Sequence, residues 1–482
     1  MHGWLNSEAS LFLEELLRQS LLGSGRTHPN PTVAALAFDS DHPELWTSGA
    51  TEPPGKRHAE IVALDSFRKK FQKDPDSLIV TLEPCSVSGR TPPCVDRILA
   101  TSGLSNIYIG GLDPSLSRQG VQKLEKAGRN VIVADAEGLR RWSDRPELSS
   151  FLSGLSRLYG LFPGSFVHRL QFGRPRLVLK AASDGDGLMG DKKQRLGISG
   201  AEGLHAGQLL RRTMDAIIVG PGTVLIDEPS LDWRPRMPGQ AMKVAQSKNT
   251  IVTAHGDETG LRFAAPGEKN GSREVRSTEQ SDAGGPSVAP VHHLRASDPF
   301  LESLLHYGDS PEMRAPDFDH QPVRIFLLPH PKTEKKGRKI QDFVNRQRQR
   351  AKLGGPEPVF WTVGANYGSG GVAERSGHGK GHPDVDSDLP SLKDPMFGSE
   401  LLQGLCSLGL NTVLVEGGAG LHDSLRWILW PDDRFYWLKR KTPLSGQPLE
   451  HPVFLPEYLK HLPRLQTVDL GEDELISFAG RA

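Results

Sequence analysis

Cysteine is the scarcest feature of this sequence, with three residues in a chain of 482. So few cysteines exclude a disulfide scaffold, and free thiols suit a reducing compartment. An excess of charge of either sign is also missing, because 58 lysines and arginines balance 58 aspartates and glutamates. The balanced chain therefore has no overall field that would attract a polyanion such as a nucleic acid.

Long apolar runs are missing as well. No stretch of the sequence approaches the ~20 apolar residues that cross a bilayer. The first residues, MHGWLNSEASLFLEELL, carry acidic side chains where a signal peptide would be basic and then apolar. We therefore expect a cytoplasmic protein that has neither a membrane nor a nucleic acid as partner.

Two of the three cysteines fall in one stretch, residues 58–94. This stretch begins with His58 and a helix-like run, continues through the β-branched run LIVTL, and ends with the loop that joins Cys85 to Cys94. Imidazole and thiolate are preferred ligands of Zn²⁺, and a catalytic zinc site uses three protein ligands and leaves one position to water. The stretch therefore predicts that His58, Cys85 and Cys94 bind one zinc ion per chain.

Glu60 lies two residues after His58, within reach of a water on such a zinc ion. This is the layout of the zinc deaminases, in which the glutamate moves protons and is not a ligand. A plainer interpretation is a surface helix start followed by two buried thiols, because the cysteines are separated by eight residues and not by the usual two. We favour a hydrolytic zinc site with Glu60 as its general acid and base.

The first part of the chain is predicted to alternate helices with strands, which argues for a parallel α/β layer. Asn30 lies between two prolines in a turn that would face the His58 site, although Pro-Asn-Pro can also be only a rigid turn. The predicted helices cover 8–22, the run after His58, 93–103 and 121–128, and the predicted strands cover 32–38, 78–82, 106–112 and 130–136.

A second α/β unit is predicted after a helical connector at about 138–170. It contains a strand in RLVLKAA, a helix over 199–214, and the string DAIIVGPGTVLIDEPSLDWR, which is predicted as strand, glycine turn and loop. Farther on, NTVLVEGGAGLHDSLRWIL is predicted as a strand that ends in glycines before a helix. Glycines let a backbone approach a phosphate closely, and a helix N-terminus favours an anion there.

Several strings together resemble the bifunctional deaminase–reductase family of riboflavin biosynthesis. HPNPTV, HAEIVAL and EPCSVSGRTPPC are similar to the N-terminal deaminase domain of that family, and GPGTVLIDEPSLDWR and VEGG are similar to its reductase domain. The resemblance implies an α/β fold in which a cytidine-deaminase-like α/β/α sandwich is followed by a dihydrofolate-reductase-like α/β domain. It implies a deaminase domain at 1–145, a connector at 146–172 and a reductase domain at 173–482.

The resemblance also implies roles for residues outside the zinc site, with NADPH as the second cofactor. Asn30 and the GRTPP loop would lie near the substrate of the deaminase. Substrate contacts in the reductase would come from Lys180, Arg211, Leu231, Arg234 and Glu416, and cofactor contacts from Ala182, Thr223, Asp227, Gly418, Ala419, Gly420, Leu421, His422, Asp423 and Ser424. Arg211 and Arg234 suit the ribose 5′-phosphate, because guanidinium pairs bidentately with phosphate.

The chain departs from the family pattern most in the reductase. Arg195 stands where the family has a substrate-binding serine, and Gly197 stands where it has a tryptophan that packs against the cofactor. A lost tryptophan removes an aromatic side chain that could bury ~150–250 Å². Tracts at about 254–320 and 365–395 are rich in Gly, Ser, His and charge, and we expect them to be flexible insertions. The run KKGRKIQDFVNRQRQRAK is predicted as a basic helix, whose charge suits either solvent or a nucleic acid.

The resemblance implies two successive reactions. The first is hydrolytic removal of the ring amino group of 2,5-diamino-6-ribosylamino-4(3H)-pyrimidinone 5′-phosphate, with hydroxide supplied by the zinc-bound water. The second is reduction by NADPH of the ribosyl group of 5-amino-6-(5-phosphoribosylamino)uracil to ribityl. The partner would be this small ribotide, in a homo-oligomer as in the family. Two alternatives remain: a deaminase whose C-terminal domain is a non-catalytic binding or assembly module, and a nucleic-acid base deaminase.

Overall fold

The computed structural model of the chain consists of two sheet-containing units joined by helices. It describes residues 3–191, 196–234, 297–308, 310–314, 321–331, 333–352, 354–364, 387–443, 449 and 451–480.

The first unit is a five-stranded sheet between two layers of helices. Alternate residues of β1 point to opposite sides, so that Leu36 and Phe38 face one helical layer while Ala35 and Ala37 face the other. The sheet order is β2-β1-β3-β4-β5, and the elements are α1 (Trp4–Ser7), α2 (Ala9–Gly23), β1 (Ala34–Phe38), β2 (Trp46–Ala50), α3 (Ala59–Phe71), β3 (Ser77–Val80), α4 (Cys94–Ala100), β4 (Asn106–Ile109), α5 (Gln119–Lys126) and β5 (Asn130–Val133). The predicted sandwich is confirmed.

The sheet is mixed and not all parallel, which corrects the sequence prediction. β3, β4 and β5 are parallel, but β1 is antiparallel to both β2 and β3. The second strand, Trp46–Ala50, was not predicted, because it is an edge strand in which only Gly49 is buried and no apolar alternation marks it. Gly49 is needed there, since a Cβ atom would lie 2.5 Å from Val62 of α3.

Three helices connect the units, as the sequence predicted for this region. The middle helix packs against α2 so closely that a Cβ atom on Gly154 would lie 2.5 Å from Leu13. Its apolar face joins the core of the first unit through Phe151, Leu155 and Leu158. The connector consists of α6 (Ala136–Arg141), α7 (Pro146–Leu161) and α8 (Pro163–Phe172).

The second unit is a nine-stranded sheet with a separate two-stranded ribbon. The strand order is β11-β10-β9-β8-β12-β6-β13-β16-β15, with β14 paired to β7. All neighbours are parallel except β16, which is antiparallel to β13 and β15. The elements are β6 (Arg176–Ser183), β7 (Leu188–Asp191), α9 (Ala201–Thr213), β8 (Ala216–Val219), α10 (Pro221–Asp227), α11 (Pro299–Tyr307), α12 (Pro311–Arg314), β9 (Val323–Pro329), α13 (Glu334–Ala351), β10 (Val359–Val363), β11 (Ser387–Leu389), α14 (Phe397–Ser407), β12 (Thr412–Glu416), α15 (Ala419–Ser424), β13 (Arg434–Arg440), β14 (Pro452–Phe454), α16 (Glu457–Lys460), β15 (Arg464–Leu470) and β16 (Asp473–Ala479).

Parts of the two expected insertions are ordered elements of this unit. α11 buries Leu301 and Leu304, and Asp298 caps its start by accepting a hydrogen bond from the Leu301 amide at 3.1 Å. β11 extends the sheet by pairing with β10. The prediction of flexible insertions is therefore wrong for 297–308 and 387–395, because PFLESLLHY carries apolar residues at helical spacing. The tracts 235–296, 315–320 and 365–386 lie outside the described residues.

The two units share one hydrophobic cluster, which runs from α1, α2 and α7 to α9 and α11. Arg212 of α9 is buried beneath the C-terminus of α2 and donates to the carbonyls of Leu21, Leu22 and Ser24 at 3.2–3.4 Å. A cation at this helix end satisfies carbonyls that lack partners within the helix. Among the described helices, none is both long enough and apolar enough to span a membrane.

Candidate active sites

The predicted zinc ligands meet at one end of the first sheet. β1 is antiparallel to β2 and β3, so the start of β1 lies beside the ends of the other two strands. His58 follows β2 as the N-cap residue of α3, Cys85 follows β3, and Cys94 is the first residue of α4. Three separate segments thus bring an imidazole and two thiols to the same end of the sheet.

The ligand atoms lie at the separations that a zinc ion requires. His58 Nδ1 is 3.6 Å from Cys85 Sγ and 3.2 Å from Cys94 Sγ, and all three atoms lie within 4.8 Å of one another. Thiolate and imidazole ligands on one tetrahedral zinc ion are about 3.6 Å apart, given the usual bond lengths. Within the described part of the chain this is the group of metal-ligating side chains that the geometry brings together.

The pKa values of the two thiols are shifted in opposite directions. A hydrogen bond from the Cys94 thiol lowers the pKa of Cys85 to about 4, and the same hydrogen bond, with burial, raises the pKa of Cys94. The hydrogen bond to Cys85 likewise raises the pKa of His58. The hydrogen bond thus favours the thiolate form of Cys85, which is the form that coordinates zinc.

Glu60 lies in the first turn of α3 and is 4% exposed. Burial raises the pKa of its carboxyl, and the nearby charge of Cys85 acts in the same direction, while His58 opposes it. A carboxyl group with a raised pKa can accept and release a proton near neutral pH. A buried carboxyl group that could carry protons therefore lies beside the predicted ligands.

Two residues that support this site were not identified from the sequence. Thr91, in the GRTPP loop, places its Oγ1 atom 3.4 Å from His58 Nε2, so it can orient the ring nitrogen that does not face the thiols. Glu83 is buried at the end of the β3 segment and accepts from the amides of Asp113, Gly120 and Val121 at 2.9–3.3 Å. The sequence feature that could have indicated Glu83 is its position two residues before the predicted ligand Cys85.

Asn30 lies on the segment that enters β1 at the same end of the sheet as the zinc site. The Ala34 amide donates to Thr81 Oγ1 at 3.0 Å, and the Thr51 amide donates to the Val33 carbonyl at 2.9 Å. These bonds join the end of the Asn30 segment to the chain that leads to Cys85 and to the chain that leads to His58. The predicted position of Asn30 beside the zinc site is therefore consistent with the topology.

In the second unit, Lys180, Arg211 and Glu416 form a charged cluster. Lys180 of β6 lies opposite Glu416 of β12 in the parallel register, and Arg211 of α9 makes a bidentate ion pair with Glu416 at 2.8 and 2.6 Å. Although burial opposes it, the charges of Arg211 and Lys180 lower the pKa of Glu416 to about 2. Burial lowers the pKa of Lys180. The guanidinium predicted for a phosphate is thus engaged by a carboxylate.

Two glycine turns lie side by side at the carboxyl ends of β8 and β12. Leu421 packs between them, since a Cβ atom on Gly220 or Gly417 would lie 3.1–3.2 Å from its side chain. In contrast, Gly222 and Gly418 face open space, which leaves room for a ligand at this edge. The predicted glycine turn leads into α10 (Pro221–Asp227), a short helix where the sequence predicted a loop.

The predicted cofactor residues divide into an open group and a buried group. Those at least partly exposed are Ala182, Thr223, Asp227, Gly418, Ala419, Gly420, Asp423 and Ser424. Leu421 and His422 are buried, and His422 Nε2 lies 3.4 Å from the Val415 carbonyl. Burial lowers the pKa of His422 to about 4. The side chain of His422 therefore faces the protein interior.

Leu231 and Arg234 lie on the loop that follows α10. Leu231 is buried in a left-handed conformation (φ 59°), and Glu228 also has a positive φ of 44°. Side chains with a Cβ atom disfavour this region, so the surroundings must hold the loop in shape. Arg234 is exposed, and its amide donates to Gln208 Oε1 at 2.9 Å.

The basic helix α13 supports this loop with several of its cations. Arg346 pairs with Glu228 at 2.8 Å, Lys339 donates to the Leu225 carbonyl at 2.8 Å, and Arg350 lies 3.4 Å from Asp232. These side chains direct their charge onto a segment of their own chain.

The chain is similar to a protein-family model and to several curated proteins. Residues 7–110 match the family model described as the cytidine and deoxycytidylate deaminase zinc-binding region. The riboflavin biosynthesis protein RibD of Bacillus amyloliquefaciens is 34% identical over 296 residues, a region that covers 59% of this chain and 71% of that protein. The chain belongs to the RibD family. RibD of Aquifex aeolicus is 36% identical over 216 residues, which cover 44% of this chain and 53% of that protein.

Solved structures of RibD proteins share the two-unit α/β fold. Acinetobacter baumannii RibD aligns with a TM-score of 0.57 at 18% identity, over 98% of this chain and 99% of the other. A deaminase/reductase from Thermotoga maritima aligns with a TM-score of 0.56 at 21% identity, over 99% of each chain. The fold predicted from the sequence, a deaminase-like sandwich followed by a reductase-like domain, is thus confirmed.

The departures from the RibD family pattern have different positions in the structure. Gly197 is exposed, and a Cβ atom there would meet no other described atom within 4 Å. Trp233 is buried, with its backbone bound to Gln321. Arg195 lies outside the described residues.

Proposed function

We propose that this chain is a bifunctional enzyme of riboflavin synthesis, with a zinc-dependent deaminase followed by an NADPH-dependent reductase. The observation that carries the proposal is the cluster of His58, Cys85 and Cys94 with the buried Glu60 beside it. The zinc-deaminase model and the RibD relatives support this assignment. The thiolate ligands also suit a cytoplasmic enzyme, because that compartment keeps thiols reduced.

In the first reaction the substrate is 2,5-diamino-6-ribosylamino-4(3H)-pyrimidinone 5′-phosphate. Zinc, when bound by His58, Cys85 and Cys94, supplies an activated water whose pKa falls towards about 7. Glu60 accepts a proton from this water and delivers it to the departing ammonia, a role that its raised pKa allows. Thr91 would keep His58 oriented, and Asn30 would contact the pyrimidine ribotide.

In the second reaction the chain would hold NADPH for reduction of the ribosyl group of 5-amino-6-(5-phosphoribosylamino)uracil to ribityl. NADPH supplies the hydride, and the chain supplies a binding edge beside Gly222 and Gly418 with Thr223 and Asp227 nearby. Lys180 and Glu416 would hold the ribose chain, Leu231 would pack against the substrate, and Arg234 would pair with the phosphate. Arg211 would act through Glu416, with which it is paired.

The test of the deaminase assignment is Glu60→Gln, which keeps the shape of the side chain but cannot accept or release a proton. We expect ammonia release to fall by about 10²–10⁴-fold, since a positioned acid–base group contributes that much. Zinc content, measured by atomic emission, should stay at one ion per chain. Glu137→Gln, at an exposed site on α6, is the matched control. Normal ammonia release by Glu60→Gln would refute the role of Glu60.

A second candidate function is a deaminase with a non-catalytic second domain. Two observations favour it: the exposed Gly197 in place of a tryptophan, and the engagement of Arg211 by Glu416. The experiment supplies the deaminated ribotide with NADPH and follows NADPH absorbance. Turnover that is lost in Lys180→Ala supports the reductase, and no oxidation above the rate without enzyme supports the second candidate.

A homo-oligomer also remains part of the proposal, because the family forms homo-oligomers. Sedimentation velocity of the purified chain would give the mass directly. A mass of a single chain at micromolar concentration would contradict this part.

A further inference from the structure

The segment that carries Asn30 is held by residues of the second unit and of the connector. Pro29 lies against the turn before β12, where a Cβ atom on Gly409 would lie 2.8 Å from the proline ring. Gly409 has a left-handed conformation (φ 72°), which glycine adopts without strain. The absence of a Cβ atom also allows the close approach of Pro29. The first contact between the units at this point is therefore tight packing.

Two side chains then bind the backbone of this segment. Asn411 Nδ2 donates to the Asn30 carbonyl at 3.1 Å, and Arg169 donates to the Pro29 carbonyl at 2.9 Å. Arg169 Nε also donates to Asn411 Oδ1 at 2.8 Å. Arginine can only donate and a carbonyl oxygen can only accept, so the orientation of the Asn411 amide is fixed by its partners.

Asn411 is itself held rigidly. Asn411 is 3% exposed. Its backbone N–H donates to Asp215 Oδ2 at 2.8 Å, and its backbone carbonyl accepts from the backbone N–H of Arg176 at 2.9 Å. Asp215 is equally buried and also accepts from the Thr412 amide at 3.1 Å. The group that holds the Asn30 carbonyl is thus built into the starts of β6, β8 and β12, in the core sheet of the second unit.

This contact lies on the segment that enters β1 at the zinc-site end of the first sheet. Asn30 is four residues before β1, and the start of β1 pairs with the ends of β2 and β3 that lead to His58 and Cys85. We propose that Asn411 and Arg169 are positioning residues of the deaminase: through the Pro29 and Asn30 carbonyls they fix the loop that presents the Asn30 side chain to the pyrimidine. The second unit would then complete the deaminase site whether or not it reduces anything.

This inference rests on the proposed function, in which Asn30 contacts the deaminase substrate. A positioning role predicts weaker binding of the ribotide with little change in the chemical step, because Glu60 and the ligands are untouched. Asn411→Ala removes one bond to the loop and leaves the Asn30 carbonyl without this donor, so we expect the KM for deamination to rise about tenfold. Arg169→Ala should act in the same direction, and Arg169→Lys, which keeps a donor for Pro29, should restore part of the loss.

The matched control is Tyr307→Phe. Tyr307 donates to Glu14 Oε1 at 2.6 Å, which joins α11 of the second unit to α2 of the first. KM, kcat, zinc content and melting temperature would be measured for all variants. A raised KM with unchanged kcat and zinc in Asn411→Ala and Arg169→Ala, but not in Tyr307→Phe, supports the inference. Unchanged KM, or an equal change in all three, overturns it.

Hydrogen exchange separates this inference from the proposed function. The Asn30 amide donates to the Thr27 carbonyl at 2.8 Å, so the peptide over 26–33 reports the order of the loop without any substrate. Exchange in this peptide should be faster in Asn411→Ala and Arg169→Ala than in the wild type and Tyr307→Phe. Unchanged exchange overturns the positioning role, while a wild type that releases no ammonia from the ribotide overturns the proposed function.

Discussion

At the scale of single residues, the zinc site is specified by only a few atoms. The three ligand atoms already lie within 4.8 Å of one another, and the hydrogen bond from Cys94 lowers the pKa of Cys85 and so favours its thiolate form. A preformed site of this kind binds zinc without a large rearrangement of the chain. Cys406, the third cysteine, is half-buried on α14 and takes no part in the cluster.

This difference between the cysteines gives a direct test. We expect Cys85→Ser to lose bound zinc and ammonia release, because a hydroxyl is a poor zinc ligand compared with a thiolate. Cys406→Ser, the matched control, should keep one zinc ion per chain and full activity. Zinc content after dialysis against a chelator is the measurement. Equal zinc content in the two variants would contradict the assigned ligand set.

His422 gives a prediction about pH. Its folded-state pKa of about 4 is below the ordinary value of 6.5, so the unfolded chain binds a proton more readily than the folded chain. Its contribution to stability is therefore present above pH 6.5 and is lost as the pH falls towards 4. The free energy of unfolding of the wild type relative to His422→Leu should decrease by about 2 kcal/mol between pH 7.5 and pH 5. A relative stability that does not change with pH over this range would show that His422 is not buried in the neutral form.

At the scale of elements, helix α3 carries both His58 and Glu60 and ends in an unfavourable residue. Its C-cap is Gln72 in the left-handed conformation (φ 56°), where glycine is the preferred residue. Gln72→Gly should raise the free energy of unfolding by about 0.5–1 kcal/mol, because it relieves this conformation at an exposed position.

The matched control for Gln72→Gly is Gln122→Gly, the same substitution at an exposed position inside α5. There glycine should lower the free energy of unfolding by about 1 kcal/mol, since the residue has helical dihedral angles. Thermal or urea unfolding of both variants measures the two signs. Destabilisation by both substitutions would contradict the account of the α3 C-cap.

The elements also show what a sequence can predict. Strongly periodic or β-branched runs, such as 8–22 and LIVTL, were placed correctly because their side chains fit one environment on each face. The edge strand β2 and the helix α11 were not, because one is half-exposed and the other lies beside a tract of low apolar content. The zinc ligands were predictable because they lie within one stretch of the chain. The Arg211–Glu416 pair joins residues 205 positions apart, and the partners of Asn30 follow it by more than a hundred residues, so no local pattern indicates them.

At the scale of the whole molecule, the two units form one body around a continuous core. Arg212 binds the end of α2, Tyr307 binds Glu14, and Asn411 binds the Asn30 segment. β12 begins next to Asn411 at this interface and ends at Glu416 in the proposed reductase site. The two ends of β12 thus lie at the two proposed sites. The second unit therefore supports the first unit even if the second unit is not catalytic.

The proposed function requires one chain to deaminate the ribotide and then to reduce it. Both steps can be followed together by incubating the zinc-loaded chain with the diamino ribotide and NADPH and recording ammonia and NADPH in the same sample. We expect ammonia to appear first and one NADPH to be oxidised for each ammonia released, with both signals lost in Glu60→Gln. The absence of ammonia from the wild type would refute the proposed function, and ammonia without NADPH oxidation would leave only the deaminase.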